Sequence, residues 1–281
     1  MNRFTLFLLS SIALLSAPAV RADSHGVPIS SLAHAHGIAF ATNPAAGVIL
    51  ATHHGVYNVD DAGQAILISQ PDDFMGFTRV QGDRFIASGH PVQGGNMGVL
   101  LSENAGADWD RIADGSNGPV DFHAMSVSAA DRQTVYGLYG GIQVSQDGGE
   151  SWTQTGPGAP DTIDIAAAPD SRGSVYAGTR SGLMFSDDFG ASWALQGPEG
   201  VPVTAVEASS TGTVYAFFAG AGLFARNSDG KWSALSESFG NQVMLHIALD
   251  EASPDRMASV LDDGSVLLSS DGGVTWRALG S

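Results

Sequence analysis

The chain has 281 residues, no cysteine, and 12 Lys+Arg against 29 Asp+Glu, a formal charge of −17 at pH 7. That acidic balance argues against nucleic acid and anionic membrane surfaces as partners, and the lack of cysteine excludes disulfides as a source of stability. With 36 glycines and short runs in which Ser, Thr and Val alternate, the composition predicts an all-β chain rich in tight turns.

The first segment, MNRFTLFLLSSIALLSAPAVRA, sets Arg3 before an apolar run from Phe7 to Leu15 and ends in a small-residue cleavage pattern. It predicts a secretory signal peptide over 1–22, cut after Ala22, and hence a periplasmic or secreted protein. The run is too short for a membrane span, and no later segment is long enough for one. The mature chain keeps ten Lys+Arg against 29 Asp+Glu, a formal charge of −19. Residues 23–31 are expected to form a tail or an edge strand, and 32–281 a single domain.

LAHAHGIAF (32–40) reads as a strand, and alternation sends His34 and His36 to one face of it. ATHHGVY (51–57) places His53 and His54 at a turn. DDFMGF (72–77) carries Asp73 and Met75, and ASGHP (87–91) carries His90. From there an octad recurs: SENAGADW ends at Trp109, SQDGGESW at Trp152, SDDFGASW at Trp193, the shortened NSDGKW at Trp232 and SSDGGVTW at Trp276. The spacings are 43, 41, 39 and 44 residues, and GVYNVDDAGQA (55–65) reads as a first copy without its Trp. Six copies with a period near 42 predict a six-bladed β-propeller of four-stranded blades, each octad turning the third strand into the fourth. The octads are expected to be structural. Their Asp accepts turn N–H bonds, Gly permits positive φ, and Trp packs on the neighbouring sheet; the residues are Asp147, Gly149, Trp152, Asp188, Gly190, Trp193, Asp271, Gly273 and Trp276.

The octads resemble the Asp-box or BNR repeat, S-x-D-x-G-x-[TS]-W, found in sialidases and other glycosidases, sortilin-like receptors and Ycf48-type photosystem assembly factors. HAHG, ATHHG, DDFMGF and ASGHP together resemble small exported bacterial BNR proteins labelled glycosyl hydrolase or exo-α-sialidase. The resemblance implies the propeller and does not choose a chemistry. A sialidase would use three arginines on the substrate carboxylate. Here only Arg180, in GTRSG, maps to the top face, so no sialidase activity is expected.

In a blade the first strand lines the channel, and the turn between strands two and three joins it at the top face. His34, His36, His123 and His246 map to first strands, and His53, His54 and His90 to top turns. His36, His123, Asp164 and His246 count to equivalent positions. Met75 and Met125 also map to first strands, as additional soft donors. This gathering predicts a transition-metal site, with copper favoured over zinc because thioethers accompany the imidazoles. Asp73, Asp121, Asp164 and Arg180 are the candidates for ligand or acid–base roles. The expected function is a binding module for a metal ion or small ligand, with no organic cofactor. Two alternatives stay open: a glycoside hydrolase or metal-assisted hydrolase on the same face, and a protein-assembly scaffold of the Ycf48 type with a protein partner.

Overall fold

Each period of the sequence folds into an antiparallel sheet whose strands follow one another in meander order, and six such sheets form a six-bladed β-propeller. The computed structural model describes residues 26–43, 46–227, 229–237 and 239–280. The expected signal peptide, its cleavage point and His25 lie outside the described residues. One 3-10 turn, Ile29–Ser31, is the helical content of the described part. No helix there is long and apolar enough to cross a membrane.

The first strand of each blade lines the channel. These inner strands are Ala35–Phe40, Asp73–Gln81, Ala124–Val127, Thr162–Ala167, Val203–Ala208 and Met244–Leu249, and they touch in a ring, the last against the first. The apolar residues fill six cores, one per seam between blades, and each octad Trp packs back toward the preceding blade. Trp109 joins Ile49, Val56, Phe74 and Phe85 between blades 1 and 2. Trp152, Trp193, Trp232 and Trp276 occupy the next four seams in turn. Within blade 3, Asp147 accepts from Ser145 Oγ at 2.7 Å and from Ser151 N at 2.9 Å, and Trp152 Nε1 donates to Gly149 O at 2.9 Å. Blades 4 and 6 repeat the pattern on Asp188 with Gly190 and Trp193, and on Asp271 with Gly273 and Trp276. In blade 2, Asn104 replaces the Asp and accepts from Ser102 Oγ and Asp108 N.

The sixth seam has no Trp. Val48, Leu50 and Val59 of blade 1 pack there against Ala258, Val260, Leu268 and Leu279 of blade 6. The backbones of Gly63 and Gly280 approach so closely that a Cβ on Gly63 would sit 3.0 Å from Gly280 Cα. Val27–Pro28 adds a fifth strand to the outer edge of blade 1, pairing with Ala65 and Gln64. It therefore lengthens one blade and does not bridge the ring.

Five inner strands share a bulge at one height, seen as register shifts at Ala35/Gly37, Phe74/Gly76, Thr162/Asp164, Val203/Ala205 and Met244/His246. The inserted residues are His36, Met75, Ile163, Thr204 and Leu245. His123, whose N–H bonds Leu138 O just before the blade 3 strand, stands at the same height. His36 and His123 are thus equivalent, whereas Asp164 and His246 lie one residue deeper, level with Gly37 and Gly76. Counting back from the apolar runs misses this because a bulge adds a residue without lengthening the strand.

Candidate functional site

The top of the channel between blades 1 and 2 brings His36, His53 and Asp73 together. His36 stands on the bulge of the blade 1 inner strand, and His53 follows the second strand, Val48–Thr52, of the same blade. Asp73 opens the inner strand of blade 2. His36 Nε2 lies 3.2 Å from Nε2 and 3.3 Å from Nδ1 of His53. His53 Nδ1 is 2.9 Å from Asp73 Oδ2, and His36 Nε2 is 4.0 Å from Asp73 Oδ1. One donor atom from each of the three falls within 4.8 Å of the others. Ligands at about 2.0–2.1 Å in a tetrahedron stand about 3.3 Å apart, so this spacing suits a transition-metal ion. Asp73 Oδ1 is buried without a hydrogen-bond partner. His34 backs the cluster, its ring 5.1 Å from that of His36 and 6.2 Å from that of His53. Burial, followed by the neighbouring His53 and His34, pushes the His36 imidazole down to about 4 against the pull of Asp73. A neutral imidazole keeps the lone pair that a metal requires.

One blade further round, Asp121 Oδ2 is met by His90 Nε2 at 2.8 Å and His123 Nε2 at 3.0 Å. The hydrogen bond that His123 donates to the Asp121 carboxylate holds its imidazole above the ordinary range. Asp73 and His123 are close enough to act on each other electrostatically, as are His36 and His123. The two clusters therefore share one mouth.

The remaining predicted residues fall elsewhere. His54 is exposed and outside both clusters. Met75 occupies the bulge height in blade 2, between those of His36 and His123. Met125 is buried in the core between blades 2 and 3. Arg180 is exposed on its top turn. Arg84, Arg111, Arg132, Arg172 and Arg256 pair with Glu103, Asp114, Glu251, Asp131 and Asp250. No trio of arginines gathers at the mouth among the described residues.

Below the mouth the channel encloses about 200 Å³, lined by Asp164, Glu207 and His246 among others. Asp164 is a stitch between inner strands: Oδ1 accepts from Ile165 N and Oδ2 from Val206 N of the next blade, both at 2.9 Å. Burial raises its carboxyl to about 7. Glu207 accepts from Ala208 N at 2.8 Å, and burial lifts it to about 8. Burial, with His36 and His34 nearby, pushes His246 down to about 3 while its ring bonds the Ala35 backbone. Sequence reasoning passed over Glu207. Its signal was available, since TAVEA sets a carboxylate on a strand that faces the channel.

No family model matches the chain, and no curated protein matches it. Solved structures share the fold. The GH74 enzyme of Niastella koreensis superposes with a TM-score of 0.64 at 15% identity, over 91% of this chain and 46% of that one. The GH74 xyloglucanase of Xanthomonas campestris gives 0.58 at 18% identity, over 92% and 46%. YCF48 bound to D1 peptide gives 0.56 at 15% identity, over 95% and 90%. The chain spans about half the length of the two GH74 enzymes. At these identities the likeness is one of fold.

Proposed function

We propose that the chain is an exported binding propeller whose channel mouth holds a divalent transition-metal ion on His36, His53 and Asp73. The observation that carries this reading is Asp73. Its buried Oδ1 has no partner, and it faces two imidazoles whose nitrogens stand at ligand spacing. Two imidazoles beside an unpartnered carboxylate oxygen are stabilised by a cation that accepts electron pairs from all three. Two nitrogens and one oxygen suit zinc or copper(II), and the divalent affinity order makes copper(II) the tighter of the two in vitro. The leader-like first 22 residues support export.

Calorimetry on chelator-stripped protein tests the site. Zinc and copper(II) are expected to bind with Kd below about 10 μM, and His36→Ala/His53→Ala to lose one equivalent. No binding by wild type, or an unchanged stoichiometry in the double variant, overturns the reading.

A metal-assisted hydrolase is the second reading. Three protein donors leave the fourth position of a tetrahedral ion open, the arrangement in which zinc activates water. Zinc-dependent hydrolysis of an activated ester that is lost in His36→Ala/His53→Ala selects it over pure binding.

A further inference from the structure

The constellation at the first site is repeated one blade further round. His53 follows the second strand of its blade and His90 ends the second strand of the next, and each reaches an Asp at or just ahead of the following blade's inner strand. The contacts are His53 to Asp73 at 2.9 Å and His90 to Asp121 at 2.8 Å. Both aspartates stand two residues ahead of the bulge height, occupied by Met75 and His123. In both, Oδ1 is buried without a partner. The bulge histidine comes from the same blade as the turn histidine in the first case, His36, and from the next blade in the second, His123.

The geometry points to a second divalent-cation position on His90, Asp121 and His123, so that the mouth is a cradle for two ions. This extends the metal reading above and rests on its own residues. Asp121 is the stronger anchor, with only 3% of its side chain exposed. His90 Nδ1 donates to Gly95 O at 2.8 Å, which fixes the ring and turns Nε2 to Asp121 Oδ2 at 2.8 Å. The buried Oδ1 of Asp121, which has no partner, is the acceptor that a cation would satisfy. A backbone carbonyl on the far nitrogen is also how metal-ligating histidines are held. The three donors do not yet close into a set within 4.8 Å. Closing the set would take an inward turn of His123, which is 58% exposed and bonded through its ring to Asp121. A ligand bridging both ions would be a small anion or a water-derived oxygen, since the two positions share one solvent-open mouth.

Metal content after equilibration with zinc and gel filtration tests the inference, by elemental analysis and native mass spectrometry. Wild type is expected to retain two zinc ions per chain, and His90→Ala and Asp121→Asn one each. Zinc should vanish only when His36→Ala/His53→Ala is added. Should Asp121→Asn fail to fold, as judged by thermal melting in chelator, the half-exposed His90→Ala carries the test alone. Unchanged zinc content in His90→Ala overturns the second position. Unchanged content in His36→Ala/His53→Ala overturns the first site instead, so the two failures are distinct.

Discussion

Glu207 and Asp164 put two carboxyls with raised pKa values in one narrow channel, and the sign of their effect on stability follows. A buried acid with a folded-state value of about 8 binds its proton long after the unfolded chain has lost it. The stabilisation is complete at pH values below the unfolded carboxylate range and is lost as pH rises through about 8. Glu207→Gln keeps the acceptor for Ala208 N and removes the titration. The variant is expected to match wild type at pH 4 and to exceed it at pH 8 by on the order of 3 kcal/mol, measured by denaturant unfolding at both values. Equal stability of the two proteins at pH 8 would show that channel water already solvates Glu207. Asp164 is a poor candidate for the same exchange, because both its oxygens accept backbone N–H groups and an amide can accept at only one of them.

Among the elements, the octad turn shows where the sequence departs from its own rule. The position filled by Gly148 and Gly272, at φ 79° and 72°, is Ala105 in blade 2 and Phe189 in blade 4, both at φ 60°. A side chain in the left-handed region costs about 1 kcal/mol relative to glycine. Ala105→Gly is therefore expected to raise stability by about 0.5–1 kcal/mol in a chemical denaturation series. Phe189→Gly is expected to lower it, because the Phe189 ring packs into the core between blades 3 and 4 and sits over Gly173. The same backbone strain is thus relieved in both, and only the packing differs. The bulge is the other element-scale device. By inserting one residue it turns His36 to the mouth, at the height that His123 holds ahead of the blade 3 strand, while Gly37 and Gly76 below let neighbouring inner strands close up. A Cβ on Gly76 would lie 2.6 Å from Phe122 O.

At the scale of the whole molecule, the ring is closed by side-chain packing between blades 6 and 1. Among the described residues no strand is shared across that seam. Five seams carry an octad Trp, and the sixth relies on aliphatic residues and the Gly63–Gly280 approach. Leu279, 6% exposed and three residues after Trp276, is the C-terminal plug of this seam. Leu279→Ala is expected to cost about 2–4 kcal/mol, read from thermal or denaturant unfolding. The first ion position joins blades 1 and 2 and the second joins blades 2 and 3, so metal would clamp two seams away from the closure. Bound zinc is then expected to raise the Tm of wild type and of Leu279→Ala alike.

The repeat made the architecture legible. An octad built on an Asp or Asn, a Gly and a Trp writes a local turn whose bonds span at most four residues, and its period near 42 sets the blade count without reference to anything distant. The gathering of histidines at one end was legible for the same reason, since strand order within a blade fixes which turns share a face. Other features depended on contacts between blades. The bulge shifted Asp164 and His246 one residue below His36, and no local pattern announces a bulge. Met125 turned into the seam core, whereas Asp73 and Asp121 reached histidines of the preceding blade. Periodicity determines which face a side chain leaves from. Which partner it meets across a seam depends on the twist and register of two sheets, and those are settled only when the ring closes.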